Sequence, residues 1–265
     1  MAAGHIKLAG WEDMDVIGGW LHEAQREGEY ETLVANWHIT QEVYERQGVL
    51  VFIEEHSNLP IAYFWGSLNT TSSILDVKPS HRKLGIGKIF VDYLVERAKE
   101  KNEPLLLIEC APESSEHFWQ KMGFTTKYYG RKLLATRILN IDAHVQPEGD
   151  PIHVTIRFLN DAGMRGSVSP LAVHELIGIR DVYGDIYLPH TVAHFSQKVF
   201  GDSRELSVDI TLGSEEDSVI FFSGRCTDDA ASDIGIEECK NGYRINSIYT
   251  PIFEKSSSFS EKKYV

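Results

Sequence analysis

The sequence of 265 residues contains no long apolar segment. Its apolar runs, such as Val49–Ile53 and Leu105–Ile108, reach at most five residues, whereas a membrane-spanning helix needs about 18–20 such residues. Residues 1–10 hold one Lys and no apolar stretch of signal-peptide length, so the sequence predicts no secretion signal. We therefore expect a cytoplasmic protein without a membrane partner.

Cysteine and positive charge are also scarce. The three cysteines, Cys110, Cys226 and Cys239, cannot all pair with one another and do not follow a zinc-ligand spacing, which fits reduced thiols in a cytosol. The 26 Lys and Arg residues face 39 Asp and Glu residues, for a net charge of −13. Such an acidic chain argues against binding to duplex nucleic acid, which requires basic surface.

Length and composition indicate two domains. A length of 265 residues suits one large or two small domains, and Asn140–Pro151 combines two Pro and a Gly with polar residues, as in a linker. We predict a first domain over residues 1–140, a linker over 141–150, a second domain over 151–253 and a flexible tail over 254–265. Residues 1–140 carry 15 basic and 19 acidic side chains, and residues 141–265 carry 11 and 20.

The two parts differ in predicted secondary structure. The first alternates strand and helix signals, including an amphipathic helix over Lys88–Lys101 and a buried strand at Leu105–Ile108. The second is mostly strand-like, with one helix predicted over Thr191–Val199. The expected fold class is an α/β domain with a mixed sheet, followed by a smaller β-rich domain.

The stretch from Ile74 to Lys88 joins a strand, a basic loop with two glycines and the start of the amphipathic helix. Glycines let the backbone approach a ligand closely, and the first N–H groups of a helix lack partners inside it and attract anions. The stretch lacks the Gly-Lys-Ser/Thr ending of a P-loop and the third glycine of a dinucleotide-binding fingerprint. It therefore predicts a different kind of phosphate cradle.

Arg82-Lys-Leu-Gly85-Ile-Gly87 fits the pattern Arg/Gln-x-x-Gly-x-Gly/Ala and resembles the pyrophosphate loop of the GNAT superfamily of N-acyltransferases. A strand follows, and then Phe118-Trp-Gln-Lys-Met-Gly-Phe124, which is similar to the aromatic-x-Lys-x-Gly-Phe segment of that superfamily. The resemblance covers residues 5–139 and does not extend to the second half.

The resemblance implies that acetyl-CoA binds as co-substrate between the strands before and after the loop helix, and no metal is expected. Its pantetheine arm would bond the backbone of the first of these strands, and its pyrophosphate would bond the loop amides and Arg82. The cofactor-binding residues so implied are Leu75, Val77, Arg82, Lys83, Leu84, Gly85, Ile86, Gly87, Lys88, Ser114 and Trp119.

The catalytic residues depart from the pattern of the superfamily. Trp119 stands where a Tyr usually protonates the CoA sulfur, and Pro112 stands where an Asn is often found. An indole N–H donates a hydrogen bond but is no acid near neutral pH. Asp76 and Glu109 are the candidate bases, either of which alternatively forms a solvated ion pair. Three histidines, His38, His81 and His117, are further candidates by pKa.

The acceptor amine in this superfamily commonly lies against the first two helices. An acidic, aromatic segment falls there, and its candidate substrate-binding residues are Trp20, Glu29, Tyr30 and Trp37. Carboxylates and aromatic faces suit a cationic amine. The alternative is an amphipathic helix with a solvated acidic face.

In the second half, His190 and His194 would share one helical face and could bind a metal ion. His174, His153 or Glu175 is the candidate for a third ligand. A calcium-binding loop could contain Asp228, Asp229 and Asp233, but their spacing is not that of an EF-hand. Ordinary histidines and a solvated acidic loop are the favoured interpretations.

The resemblance implies an N-acetyltransferase that moves an acetyl group from acetyl-CoA directly to a primary amine of a small molecule or protein. The alternative is a non-catalytic regulatory protein that binds acetyl-CoA and uses its second domain to bind a protein partner. A homodimer is also compatible with the sequence.

Overall fold

The computed structural model describes residues 3–28, 33–142, 147–160, 169–214 and 217–250. The chain forms two compact units. The first comprises Met1–Ile141, Val199–Gly201 and Cys239–Gly242, and the second comprises Asp142–Lys198, Asp202–Glu238 and Tyr243–Val265. No helix among the described residues is both long and apolar enough to cross a membrane.

The first unit contains seven strands and four helices along the described chain. The strands are β1 Gly4–Leu8, β2 Val49–Glu54, β3 Pro60–Trp65, β4 Ile74–Val77, β5 Leu105–Glu109, β6 Thr125–Tyr129 and β7 Lys132–Ile138. The helices are α1 Trp11–Arg26, α2 Trp37–Glu45, α3 Ile86–Glu100 and α4 Glu116–Lys121. The predicted amphipathic helix and the buried strand after it are thus present as α3 and β5.

These strands form two sheets. One has the order β1-β2-β3-β4 and the other β5-β7-β6, with antiparallel pairing in both. A parallel bridge between Asn69 and Leu107 links the segment before β4 to β5, and Leu107 N donates to Leu68 O over 2.7 Å. Beyond this bridge β4 and β5 belong to different sheets, so no ladder joins their carboxyl ends, and we call this break between the two strands the gap.

Side chains of the four-stranded sheet alternate between two apolar cores, as successive strand residues point to opposite faces. Ala62 and Phe64 pack in the core that contains Phe90 of α3. Tyr63 and Trp65 pack in the core that contains residues of α1. The face of β4 that carries Asp76 is that of its cross-strand neighbour Tyr63, and so lies opposite α3.

The second unit is β-rich. Its strands are β8 Asp150–Asn160, β9 Ala172–Arg180, β10 Ile186–Phe195, β11 Leu206–Leu212, β12 Val219–Arg225, β13 Ile236–Cys239 and β14 Gly242–Ile248, and α5 covers Asp229–Asp233. They form one sheet in the order β12-β11-β8-β9-β10-β14-β13. Val154, Ile156 and Phe158 alternate into its core, which confirms the predicted β-rich class for this half.

The helix predicted over Thr191–Val199 is wrong. The chain there continues β10 to Phe195 and then forms a short 3₁₀ turn over Gln197–Phe200. Leu188 and Val192 of β10 are buried in the core of the sheet, so pairing and burial within the sheet decide the conformation of a segment whose local pattern is ambiguous.

Candidate functional site

The loop between β4 and α3 has an unusual backbone. Lys78 N continues the strand pairing by donating to Ile61 O over 2.8 Å, and Pro79–His81 form a 3₁₀ turn. Lys83 and Gly85 then take positive φ angles of 65° and 90°. Gly85 is the N-cap of α3 in the left-handed conformation, which a glycine adopts at little cost.

This backbone exposes the amino end of α3. The first N–H groups of a helix have no acceptor within it, and the helix dipole adds partial positive charge. A Cβ on Gly85 would meet no atom within 4 Å, whereas a Cβ on Gly87 would lie 3.0 Å from Cε2 of Phe118. Gly85 therefore serves the turn itself, and Gly87 serves the close packing of α3 against Phe118.

Arg82 folds back onto β4. Its Nε donates to Val77 O over 3.0 Å, and its Nη2 lies 3.4 Å from Oδ1 of Asp76. The guanidinium thus ties the loop to the carboxyl end of β4. Its side chain is 37% exposed, so part of the guanidinium still faces solvent.

Asp76 is nearly buried, at 8% exposure. Its Oδ1 accepts from Val77 N over 2.8 Å as well as from Arg82. Burial and the Asp76 charge raise the pKa of the neighbouring Tyr63 phenol well above its usual range, so that phenol stays protonated beside the carboxylate.

Glu109 ends β5 across the gap. Its Oε2 accepts from Nζ of Lys132 over 2.6 Å, and its side chain is 25% exposed. Leu106 and Ile108 of β5 lie in the core that contains α3, so Glu109 occupies the opposite face by strand alternation. Asp76 and Glu109 therefore lie on the same side, away from α3, at the ends of the two strands that border the gap.

Trp119 is a core residue. It is 8% exposed and makes edge contacts with Phe118 and Phe124 at centroid distances of 5.0 and 5.3 Å. Ser114 lies in the short 3₁₀ turn Glu113–Ser115 before α4. Of the remaining loop residues, Leu84 is 49% exposed, and Nζ of Lys88 pairs with Asp92 along α3 at 2.5 Å.

Trp20 and Trp37 pack on the face of the sheet opposite α3. Trp20 is 5% exposed and its ring centroid lies 6.1 Å from that of Tyr63. The ring of Trp37 packs against Gly18, where a Cβ would lie 3.0 Å from Cζ2. The predicted residues Glu29 and Tyr30 lie outside the described residues.

Two residues that the sequence did not single out belong to this face. Tyr63 is fully buried beside Asp76, and Thr40 accepts a hydrogen bond from Nε1 of Trp65 over 3.0 Å. The β-rich run Ile61–Trp65 predicts a strand, but only the pairing of β3 with β4 places Tyr63 next to the carboxylate.

The histidines predicted as alternative bases or metal ligands have other surroundings than those predictions require. Nε2 of His81 lies 3.7 Å from Glu54. His190 and His194 share a face of β10 rather than of a helix. Within the part of the chain that the structure describes, no group of three or more His, Cys, Asp or Glu side chains is arranged to hold a metal ion.

The acidic segment considered as a calcium loop begins a short helix instead. Asp228 is the N-cap residue of α5, and its Oδ2 accepts from Arg225 N over 3.0 Å. Asp229 and Asp233 are the first and last residues of α5.

The sequence also matches a known protein family. This match accompanies the geometry described above, which combines the exposed amino end of α3, its left-handed glycine cap and the gap between the two sheets. Residues 12–124 match the model of the acetyltransferase (GNAT) family. This part of the chain is thus a GNAT-like α/β domain. The second half of the chain lies outside this match.

Solved structures similar to this chain belong to small acetyltransferases. A GNAT-family acetyltransferase of Staphylococcus aureus Mu50 is 17% identical over 52% of this chain and 99% of that one, with a TM-score of 0.41. The paiA N-acetyltransferase of Thermoplasma acidophilum, in complex with coenzyme A, is 14% identical over 52% and 99%, with a TM-score of 0.39. The yncA protein of Salmonella typhimurium, with acetyl-CoA, is 18% identical over 56% and 100%, with a TM-score of 0.38. No curated protein matches the chain.

Proposed function

We propose that the GNAT domain transfers an acetyl group from acetyl-CoA directly to a primary amine of a small molecule or protein. The observation that carries this proposal is the left-handed Gly85 cap at the amino end of α3, next to a gap bordered by two carboxylates. The cap would supply an anion site, and the gap would place a thioester beside proton acceptors.

The loop fits the diphosphate of acetyl-CoA. The backbone N–H groups of Leu84 to Lys88 would bond its oxygens at the dipole-favoured end of α3. The exposed part of Arg82 would add charge, while its Nε bond to Val77 O fixes the loop. The backbone of Leu75 and Val77 borders the gap. Leu75 would bond the pantetheine arm, and Val77 O, which already accepts from Arg82, would offer it a second lone pair.

Glu109 is the base in this proposal. A base must exchange protons with its surroundings, and the side chain of Glu109 is 25% exposed whereas that of Asp76 is 9% exposed. Glu109 would take the proton of the acceptor ammonium. The amine nitrogen would then bond to the acetyl carbon as the carbon–sulfur bond breaks, and water would carry its second proton to the departing thiolate.

Asp76 is a positioning residue in this proposal. Its carboxylate accepts from Arg82 and from Val77 N, so it holds the carboxyl end of β4 and the loop in one arrangement. It also adds negative charge to the face on which Trp20 and Trp37 pack, which suits a cationic acceptor.

The burial of Trp119 favours a second candidate function. A side chain that is 8% exposed among Phe118 and Phe124 supports packing rather than proton donation, so acetyl-CoA could bind without transfer. The chain would then be an acetyl-CoA-dependent regulator whose β-rich domain binds a protein partner. In either function we propose domain limits of 1–140 and 151–253, with an accessory role for the second domain.

The deciding experiment measures thiol release from acetyl-CoA with a panel of primary amines. The full chain is expected to release thiol in the presence of an acceptor, and Glu109→Gln to lower kcat about 100- to 10,000-fold with little change in acetyl-CoA affinity. Acetyl-CoA binding without acceptor-dependent release across the panel would support the regulator instead.

Two further variants separate the roles of the carboxylates. Asp76→Asn is expected to raise KM for acetyl-CoA more than it lowers kcat, because it loosens the loop. Glu96→Gln, on the exposed side of α3, is the control and should behave as wild type. A large loss of kcat in Asp76→Asn, with none in Glu109→Gln, would instead identify Asp76 as the base.

A further inference from the structure

The first unit contains a cavity of about 500 Å³, within the size range of small-molecule sites. It lies between the carboxyl-terminal half of α3, the ends of β1 and β3, and the amino end of β5. Its lining is drawn from these elements and from the segments before β2 and before β4. All of its lining residues belong to the first unit.

The cavity is separate from the proposed acetyl-CoA site. That site adjoins the amino end of α3 and the carboxyl ends of β4 and β5, whereas the cavity reaches Arg97 and Lys101 of the α3 end and Leu106 at the start of β5. With a rise of 1.5 Å per residue, Gly87 and Arg97 are about 15 Å apart along the helix axis.

The floor of the cavity is apolar. Its apolar lining residues come from five different parts of the fold: Leu50, Phe64, Leu68, Leu94, Ala98 and Leu106. Leu50 is half-buried and Leu94 is 8% exposed, so these two side chains keep surface open to the cavity, whereas Phe64 and Leu106 lie beneath it at 2% exposure or less. Such a surface favours a ligand with a hydrocarbon or aromatic body.

The rim of the cavity is basic in an acidic chain. Lys7, Arg97 and Lys101 line it together with a single acidic residue, Glu103, whose Oε2 is occupied by a bond from Asn69 Nδ2 over 2.6 Å. Cations at the end of α3 complement the helix dipole, but Lys7 reaches the same rim from β1. The cations give this rim a positive charge, which would suit an anionic ligand.

The three cations of the rim differ in the partners that their side chains already contact. Nζ of Lys7 pairs with Asp13 at 2.8 Å. Nη1 of Arg97 bonds Oη of Tyr93 over 3.2 Å, and its guanidinium lies 5.8 Å from the centroid of that ring. Within the described residues neither Arg97 nor Lys101 pairs with a carboxylate, so these two side chains have charge available for a ligand.

We propose that this cavity is a second ligand site, which binds a small amphiphile with one anionic head group, a carboxylate or a phosphate, on an apolar body. The apolar body would lie against Leu50 and Leu94, and the head group would pair with Arg97 and Lys101. This site is independent of the proposed acetyl transfer.

The test is calorimetric titration of the full chain with octanoate and octyl phosphate, in the absence and presence of saturating CoA. We expect one site for at least one of the two anions, unaffected by CoA, and the stronger of them identifies the head group. Octylamine has the same apolar body with opposite charge and is expected not to bind. Absence of binding by both anions, equal binding of octylamine, or competition with CoA would overturn the proposal.

Charge variants locate the site. Arg97→Gln and Lys101→Gln should each weaken binding of the anion about tenfold, as expected for loss of a charge-assisted hydrogen bond. Both side chains are exposed, so the fold should tolerate these changes. Lys99→Gln removes a charge that pairs with Glu96 on the same helix and should leave binding unchanged. Equal affinity in all three variants would also overturn the proposal. Since no step requires acetyl-CoA, failure here is distinguishable from failure of the proposed transfer.

Discussion

Gly87 of α3 packs directly against the ring of Phe118, so that a Cβ at this position would lie 3.0 Å from Cε2 and 3.1 Å from Cζ. Phe118 in turn makes an edge contact with Trp119, which is buried in the core beneath α3. The second glycine of the loop motif therefore has a packing role as well as its place at the amino end of the helix.

Gly87→Val should destabilise the first unit by about 1–3 kcal/mol, because the added side chain overlaps the ring of Phe118. All five tryptophans lie within residues 1–141, so denaturant unfolding followed by tryptophan fluorescence reports on this unit. Phe118→Leu in the Gly87→Val background should restore part of the loss, and the double-mutant cycle measures the coupling.

Gly19 provides the control for that series. It lies in α1 with no atom within 4 Å of a built Cβ, so Gly19→Ala should stabilise the unit by about 0.5–1 kcal/mol. Unfolding of Gly87→Val at the wild-type denaturant concentration would contradict the packing role of Gly87.

Gly85→Ala should weaken acetyl-CoA binding, because the φ angle of 90° at this cap is strained for any residue with a Cβ. We expect a loss of stability of about 1–2 kcal/mol together with lower affinity in calorimetry. Gly130 also has a positive φ, of 62°, and open space around it in the β6–β7 turn, so Gly130→Ala should lose stability but keep affinity. Equal affinities of Gly85→Ala and Gly130→Ala for acetyl-CoA would show that Gly85 has no specific role in cofactor binding.

Arg82→Gln tests whether the loop is held by its link to β4. The change removes the 3.0 Å bond to Val77 O and the ion pair with Asp76, so KM for acetyl-CoA should rise about tenfold or more with a smaller effect on kcat. Arg131→Gln, in the turn between β6 and β7, removes a charge outside the loop and is the control. An unchanged KM for acetyl-CoA in Arg82→Gln would show that Arg82 does not contribute to the acetyl-CoA site.

The sequence was sufficient for the elements whose local pattern and chemistry agree. The apolar spacing over Lys88–Lys101 predicted the helix, which begins two residues earlier than predicted, at Ile86, and therefore includes the second glycine of the loop motif. The positions of side chains set by pairing could not be predicted in this way. Tyr63 lies beside Asp76 only because β3 pairs with β4 in one register.

Where tertiary contacts override the local pattern, the sequence predictions were incomplete or wrong. Nothing in the loop sequence indicated that Arg82 would bond Val77 O. In the second unit, His190 and His194 have a spacing that places them on one face of either a helix or a strand. The pairing of β10 within the sheet selects the strand.

The second unit should lose stability in mild acid because of its buried histidines. Burial lowers the pKa of His174 and of His194, and the nearby His194 and His190 rings lower that of His174 further. The unfolded chain therefore binds more protons than the folded unit once the pH falls below about 6.5. The stabilisation from keeping these rings neutral is fully present above that pH and is lost as the pH falls through the folded-state pKa values.

His194→Leu should flatten this pH dependence between about pH 7 and 5, because leucine packs against Phe158 without ionising. The slope of unfolding free energy against pH is the readout, since the variant also loses the 3.0 Å bond from Nδ1 to Phe195 O and its absolute stability will differ. His153, which is exposed on β8, gives the control: His153→Leu should keep the wild-type slope. Side-chain NMR titration of His174 and His194 checks the cause directly, and ordinary pKa values for both would refute it.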